Sequence, residues 1–132
     1  MSDNSDNMAA AQRLYEAFAA HDGKAILDVL SPTFVGQVSP GMPLGVGGRH
    51  EGAQQMLDET WIPVFRAYDV CPEADEFVEA GDGHRIVALG AYRGTERSTG
   101  KPFEAPFAHV LDISDGRITA LQQITDTASW PS

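Results

Sequence analysis

The fold is decided by the stretch RIVALGAYRGTERSTGKPFEAPFAHVLDISDGRITALQQITDT, residues 85–127. It holds three runs rich in apolar residues, and two short turns, S-T-G-K at 98–101 and S-D-G at 114–116, separate them. A fourth run precedes them and is joined to residue 85 through the G-D-G turn at 81–83. Because short turns make consecutive strands antiparallel neighbours, the sequence predicts a four-stranded meander over residues 70–79, 85–95, 103–113 and 118–127.

The first half of the chain has helical spacing instead. The apolar residues of a first predicted helix recur every three or four positions: Met8, Ala11, Leu14, Tyr15 and Phe18. Asp6 or Asn7 can cap this helix, and residues 1–6 are predicted to be a flexible N-terminus.

A short second helix, a strand and a long third helix follow. The second helix carries Ile26, Leu27 and Leu30 on its apolar side, and Ser31-Pro32 ends it. Residues 33–38 are predicted to form a strand, and residues 39–48 are too rich in Gly and Pro for regular structure. The third helix runs over residues 51–68, with a kink expected at Pro63.

Helices first and a meander afterwards indicate an α+β fold in a single domain, residues 7–132. We expect a cone in which a curved antiparallel sheet packs against three helices and leaves one internal pocket on its concave side. The outer face of the sheet also carries apolar residues, and burying them predicts a homodimer.

Composition narrows the classes of partner. The chain has 132 residues, 42% of them hydrophobic and 21% charged, which is typical of a globular domain. Nine basic and nineteen acidic residues give a net charge of −10, so nucleic acid and anionic membranes are disfavoured as partners. Cys71 is the single cysteine and the N-terminus has no apolar stretch, which together predict a cytoplasmic protein without a membrane span.

The order of elements resembles the nuclear transport factor 2-like (NTF2-like) superfamily, and within it the SnoaL-like polyketide cyclases and ketosteroid-isomerase-related proteins. The resemblance covers residues 8–130. The matching motifs are S-P-G at 39–41, G-R-H-E-G at 48–52, T-G-K-P-F at 99–103, D-G-R-I at 115–118 and D-T at 126–127. It implies the fold more specifically than the activity, because this superfamily contains isomerases, cyclases, dehydratases, epoxide hydrolases and proteins that are not enzymes.

Carried over residue by residue, the resemblance matches few catalytic positions. The isomerase's catalytic aspartate falls on Val38, its helix-one tyrosine on Leu14 beside Tyr15, and its penultimate-strand aspartate on Ala108. The epoxide hydrolase aspartate of the last strand falls on Gln123. The polyketide cyclase acid/base aspartate is matched, at Asp126.

Asp126 is therefore the leading catalytic residue. A carboxylate in an apolar cavity has a raised pKa and can exchange protons with a substrate. Strand parity conflicts with this assignment, since Gln123 and Asp126 lie on opposite faces of the last strand unless a bulge or the strand end turns Asp126 inward. The alternative is a carboxylate that fixes the C-terminal segment.

Assisting roles are predicted for His109, Tyr15 and Gln123. His109 can act as an acid or base, although parity with a pocket-facing Ala108 favours a half-buried histidine bonded across the sheet or at a dimer contact. Tyr15 and Tyr92 can donate a hydrogen bond to a developing oxyanion, with packing the alternative role for Tyr15 and a rim contact for Tyr92. The predicted substrate-binding residues are Trp61, Phe65, Met56, Tyr92, Phe18, Val38 and Leu121.

Four functions remain open. The first is a cofactor-independent isomerase, cyclase or lyase that acts on a small apolar polycyclic, steroid-like or terpenoid molecule. The second is a non-catalytic module that binds such a molecule, and the third is a dimerisation domain whose interior is filled by its own side chains. An epoxide hydrolase-like activity is a further alternative.

The four histidines and one cysteine have no spacing suited to a metal site.

Overall fold

The structure is a computed structural model that describes residues 4–131. The helical part consists of α1 (Asn4–Ala19), α2 (Gly23–Val29), α3 (Ala53–Met56) and α4 (Ile62–Ala67). A π-helical segment, Leu57–Trp61, joins α3 to α4, and we call residues 53–67 the third helix. None of the helices described is long and apolar enough to cross a membrane.

Six strands form one sheet in the order β2-β1-β6-β5-β4-β3. Their bounds are β1 (Leu30–Val38), β2 (Gly48–Glu51), β3 (Tyr68–Ala80), β4 (Arg85–Glu96), β5 (Pro102–Ser114) and β6 (Arg117–Thr125). The predicted meander is confirmed, since β3 to β6 pair antiparallel in sequence order. The sheet is mixed rather than wholly antiparallel, because β1 pairs in parallel with β6. The α+β architecture with three helices against a curved sheet is the one predicted.

The N-terminal helix begins earlier than predicted. It starts at Asn4, and the first three residues of the predicted flexible segment lie outside the described part of the chain. Asn7 is not a cap. Its side chain is buried, donates to the carbonyl oxygen of Gly83 at 3.0 Å and accepts from the backbone N–H of Gly116 at 3.2 Å. It therefore fastens α1 to two β-turns.

The other helix boundaries follow from local chemistry. The carboxylate of Asp22 caps α2 by accepting from the backbone N–H of Ala25, and β1 begins at Leu30, before the expected residue 33. In the third helix, Pro63 has no N–H to donate to the preceding turn, and the π-helical segment ends two residues before it. The predicted kink is thus a local change of helix type. Strand β2 was not predicted from the sequence: it pairs with β1 at the place where the irregular loop was expected to lead into the third helix.

Aromatic rings fill the space between the third helix and the sheet. The ring of Phe18 lies 5.3 Å from that of Trp61, and Phe34 lies 6.2 Å from Trp61 on another side. Cavities of about 620 Å³ and about 600 Å³ lie outside this core, one beside α1 and α2 and the other beside Leu44 and Tyr68. None of the residues predicted to bind substrate lines either cavity. Two smaller cavities, of about 180 Å³ and about 330 Å³, include Phe65 and Leu121 respectively in their linings.

Candidate functional site

Four polar side chains from four elements meet inside the fold. Tyr15 of α1 and Tyr92 of β4 each place a hydroxyl 2.7 Å from a ring nitrogen of His109 of β5, the first at Nδ1 and the second at Nε2. The amide Nε2 of Gln123, on β6, donates to the hydroxyl oxygen of Tyr92 at 2.7 Å. We call Tyr15, His109, Tyr92 and Gln123 the polar chain.

Strand register explains why these residues meet. His109 is the direct antiparallel partner of Gln123 on one side and of Ala88 on the other. Side chains alternate between the two faces of a strand, so Ala88 and Tyr92 both face inward from β4. The inner face of three neighbouring strands thus presents its polar groups to α1, which supplies Tyr15.

The far end of the polar chain is tied to the loop after β1. The backbone N–H of Ser39 donates to Oε1 of Gln123 at 3.2 Å, and the Ser39 hydroxyl donates to the Gln123 carbonyl oxygen at 2.9 Å. The same hydroxyl accepts from the N–H of Thr125 at 3.2 Å. Ser39 therefore holds both the side chain and the backbone of Gln123.

The loop itself is anchored to the third helix by His50. Its Nδ1 lies 2.8 Å from a carboxylate oxygen of Glu59, and its Nε2 lies 2.7 Å from the carbonyl oxygen of Val46. Leu44, at the loop tip, is about half exposed and has φ of 68°, a left-handed conformation that is costly for a leucine. This loop is fixed at both ends and strained in the middle.

Burial keeps the polar chain uncharged. Desolvation lowers the pKa of His109 to about 3, so its imidazole is neutral at physiological pH. Desolvation raises the pKa of Tyr15, with a further contribution from Tyr92. The pKa of Tyr92 is also raised by burial, and the hydrogen bond from Gln123 opposes that rise. All four members of the chain are therefore neutral hydrogen-bonding groups near pH 7.

Aromatic rings surround the polar chain. The ring of Phe107 stacks on His109 with centroids 3.9 Å apart, and Phe18 and Phe77 each lie 5.6 Å from Tyr15. Trp130, after the last strand, covers Tyr92 at 4.8 Å. Such walls exclude water and strengthen the hydrogen bonds that they enclose.

The expectation that Asp126 faces the interior is wrong. Strand β6 ends at Thr125, and Asp126 is exposed. Its carboxylate accepts from the backbone N–H of Ala128 at 3.2 Å and from the hydroxyl of Ser129 at 2.7 Å, which caps a short 3₁₀ turn. Asp126 therefore has the alternative role, that of fixing the C-terminal segment.

The structure brings His109, Gln123 and Tyr15 together, but the sequence did not determine the direction in which each side chain faces. Parity put Gln123 and Asp126 on opposite faces without deciding between them, and Gln123 is the buried one. On β5 the inward residue is His109 and not Ala108. On α1, Tyr15 rather than Leu14 reaches His109. The alignment with ketosteroid isomerase was thus one residue away from the polar chain at two positions. The amide of Gln123 also means that β6 has no carboxylate at the epoxide hydrolase position.

The predicted wall residues lie mainly in the packed core. Phe18, Val38, Met56, Trp61 and Leu121 are buried, and Phe65 is partly buried against them. Tyr92 belongs to the polar chain rather than to a rim.

Sequence reasoning missed Ser39, Phe107 and Trp130. The Ser-Pro-Gly motif and the aromatic residue after the last strand were the available signals. Within residues 4–131, no group of three or more His, Cys, Asp or Glu side chains is arranged to hold a metal ion.

Comparisons with known proteins agree with this architecture. The SnoaL-like domain family matches residues 11–121. An NTF2-like protein of unknown function from Burkholderia pseudomallei is 31% identical, with 97% of this chain and 94% of that one covered and a TM-score of 0.82. An NTF2-like protein from Burkholderia thailandensis is 26% identical, covering 98% and 95% with a TM-score of 0.83. TerC, co-crystallised with polyporic acid, is 26% identical, covering 93% of each chain with a TM-score of 0.81. No curated protein matches the sequence significantly.

Proposed function

The chain belongs to the SnoaL-like domain family of the NTF2-like superfamily, and from this premise we propose that it is a cofactor-independent enzyme of the cyclase or isomerase type. Its substrate is a small apolar molecule with a carbonyl group, of polycyclic, steroid-like or terpenoid character. The observation that carries the proposal is the buried polar chain, in which two phenols flank a neutral imidazole.

The polar chain supports catalysis through a hydrogen bond to the carbonyl oxygen. Negative charge gathers on that oxygen when an enolate forms or when a carbon nucleophile attacks the carbonyl, and a preorganised donor stabilises it. Tyr15 is the donor in this proposal, because within residues 4–131 its hydroxyl makes no hydrogen bond other than the one to His109. A phenol with a raised pKa stays protonated and can donate at any physiological pH.

The polar chain is better suited to polarising a carbonyl than to removing a weakly acidic proton. Apart from tyrosines, the buried polar residues among those described are Asn7, His50, Thr60, His109 and Gln123, none of them a carboxylate. An imidazole with its pKa lowered to about 3 is a weak base. The substrate therefore carries its own acidic C–H or its own nucleophile. Ligand access to Tyr15 requires the aromatic wall to open, and the rings of Phe18 and Phe77, each 5.6 Å from that of Tyr15, are the ones that would move.

The test compares two buried phenols. We expect Tyr15→Phe to lower kcat by about 10²- to 10³-fold, the usual effect of losing one oxyanion donor, with KM little changed. Tyr68→Phe is the matched control, because it removes a phenol that is bonded to the carbonyl oxygen of Pro131 outside the polar chain. Candidate carbonyl compounds, with polyporic acid from the TerC crystals among the ligands screened first, are followed by liquid chromatography with mass detection. Equal effects of the two substitutions on a converted substrate would contradict the proposal.

A second candidate is a scaffold without catalysis, which the filled interior favours. The rings of Phe18 and Phe34 both pack against Trp61, and Phe18 and Trp61 are two of the predicted substrate-binding residues. Native mass spectrometry distinguishes the cases: a bound small molecule released unchanged after long incubation supports a binding module. Failure to bind any apolar dye supports a dimerisation domain.

The remaining expectations about partners are part of the same proposal. The protein is a homodimer that pairs through the outer sheet face, does not bind nucleic acid and is cytoplasmic. The net charge of −10 supports the exclusion of nucleic acid. Exposed apolar residues on the outer face, among them Ile124, support the dimer.

A further inference from the structure

From the donors and acceptors of the polar chain we infer that Ser39 and Gln123 are positioning residues: they hold His109 in its Nδ1–H tautomer and so keep the hydroxyl hydrogen of Tyr15 free to bind a ligand. This inference deepens the proposed function and rests on it for its catalytic meaning. The tautomer itself is a property of the folded protein without substrate, so it can be tested separately.

The first step is the orientation of the Gln123 amide. A backbone N–H can only donate, and that of Ser39 points at the Gln123 side chain from 3.2 Å. The amide oxygen must therefore face Ser39, because the reverse orientation would set an NH₂ group against the N–H. The NH₂ group of Gln123 is then the one that faces Tyr92, 2.7 Å away. Ser39 thereby makes Gln123 a donor toward the polar chain.

The second step is the direction of the bond between Tyr92 and His109. With its oxygen accepting from Gln123, Tyr92 is free to donate its own hydrogen to Nε2 of His109, 2.7 Å away. In the opposite arrangement, His109 also donates to Tyr92, and the phenol hydrogen is left among the rings of Phe107 and Trp130. Either arrangement leaves one phenol hydrogen without an acceptor, that of Tyr15 in the first and that of Tyr92 in the second. Only the first runs all three hydrogen bonds in one direction, so that each bond polarises the next, whereas in the second Tyr92 accepts twice. Tyr92 therefore donates, and Nε2 accepts.

The third step follows from the single proton of a neutral imidazole. Burial keeps His109 neutral, so an accepting Nε2 requires a protonated Nδ1. Nδ1–H then donates to the oxygen of Tyr15, 2.7 Å away. The hydroxyl hydrogen of Tyr15 has no acceptor among residues 4–131, and its neighbours Phe18 and Phe77 offer none. The polar chain thus leaves one O–H donor free, the hydroxyl of Tyr15 on α1.

The ligand chemistry that fits this end is a hydrogen-bond acceptor on an apolar body. A carbonyl oxygen satisfies the free hydrogen of Tyr15. A group that only donates, such as an ammonium, would meet an oxygen that already accepts from His109, inside a wall of rings. The loop residue Ser39 is therefore a remote determinant of which end of the polar chain can donate.

Nitrogen-15 NMR of the histidine ring tests the inference directly. In the wild-type protein at pH 7 we expect Nδ1 of His109 to carry the proton and Nε2 to be unprotonated, with a His109→Asn variant used to assign the signals. In Gln123→Glu, measured above neutral pH so that the new carboxylate is ionised, Tyr92 donates to the carboxylate and must accept from Nε2. The protonated nitrogen is then expected to switch. Gln122→Glu is the matched control, since Gln122 is exposed on the outer face. In this control variant we expect His109 to keep the tautomer that it has in the wild-type protein.

Each outcome of these measurements either supports or overturns the inferred tautomer. A wild-type His109 protonated at Nε2 overturns the inference, even if the Gln123 variant does not fold. A folded Gln123→Glu protein whose tautomer is unchanged also overturns it. On a converted substrate we expect Gln123→Glu to lower kcat by on the order of 10²-fold with KM little changed, because the free donor moves away from Tyr15. If the tautomer is as inferred but Tyr15→Phe leaves turnover intact, the proposed function fails and the positioning role of Ser39 and Gln123 stands.

Discussion

At the scale of single residues, the buried imidazole of His109 makes folding stability depend on pH. Burial lowers its pKa to about 3, whereas an unfolded chain has a histidine pKa near 6.5. Below pH 6.5 the unfolded state therefore binds a proton that the folded state does not, and stability falls as the pH falls from 6.5 toward 3. Above pH 6.5 both states are neutral and this residue contributes no pH dependence.

We expect this single histidine to cost roughly 3 kcal/mol of unfolding free energy at pH 4 relative to pH 7. Urea unfolding at several pH values, compared between wild type and His109→Gln, measures it, and the slope between pH 6.5 and 4 is expected to be shallower in the variant. His84→Gln is the control, because His84 is exposed. Parallel curves for wild type and His109→Gln would show that the imidazole is not desolvated as described.

Part of the candidate site could be predicted from residue types and strand parity alone. Parity put Gln123 and Asp126 on opposite faces of the last strand, and a histidine within an apolar strand already marked His109 for attention. The face of the sheet on which His109 lies depends on the strand register that pairs it with Gln123. Spacing along the sequence does not determine that register. The outward turn of Asp126 depends on where β6 ends, and that is set by the capped turn which follows. The register between two strands decided the first point, and a locally hydrogen-bonded turn decided the second.

At the scale of elements, two glycines let β3 and β4 approach closely. A Cβ atom at Gly90 would lie 1.8 Å from the carbonyl oxygen of Glu73, and one at Gly94 would lie 2.0 Å from that of Asp69. Beside Gly90, the register of β3 shifts between Ala74 and Glu76. A bulge of this kind bends and twists a strand. The glycine accommodates the bulge that curves this side of the sheet.

Gly90→Ala is expected to lower the free energy of unfolding by about 3 kcal/mol or more, since backbone atoms rather than a flexible side chain must move. The matched control is Gly23→Ala at the start of α2, where the new methyl meets only Leu57 side-chain atoms at 3.4 and 3.8 Å. That change is expected to be neutral or to stabilise by up to about 1 kcal/mol. Thermal and urea unfolding of the two variants gives both values. Equal stabilities would mean that the strands can separate at little cost.

The elements themselves were predicted with uneven success, for physical reasons. Tight turns such as Ser114-Asp115-Gly116 determine antiparallel neighbours locally, so the meander was accessible from sequence. The parallel pairing of β1 with β6 joins residues 85 to 88 positions apart, such as Gln37 with Gln122 and Leu30 with Ile118, and no local signal encodes it. Asn7 looked like a helix cap, but it is used for a tertiary bond to the turns at Gly83 and Gly116. Tertiary contacts override the local preference in each case.

At the scale of the whole molecule, the outer face of the sheet offers a surface for a second copy. Cross-strand pairs bring its apolar residues together, because Val87 lies opposite Val110, and Ala108 lies opposite both Leu89 and Ile124. Ile124 is 50% exposed and Leu89 is 36% exposed. Contiguous apolar surface of this kind marks interaction sites in soluble proteins. A two-fold pairing of identical faces would bury it on both copies.

We expect Ile124→Arg to convert the proposed dimer into a monomer, because the substitution places a charge against its own copy at the centre of the paired faces. Size-exclusion chromatography with light scattering measures the molar mass of wild type and variant over a range of concentrations. Leu44→Arg is the matched control: Leu44 is 53% exposed but lies on the loop after β1, away from the outer face. A dimer in the control and a monomer in Ile124→Arg locate the interface on the sheet. A monomeric wild type would rule out the dimer, whereas a dimeric Ile124→Arg would move the interface elsewhere.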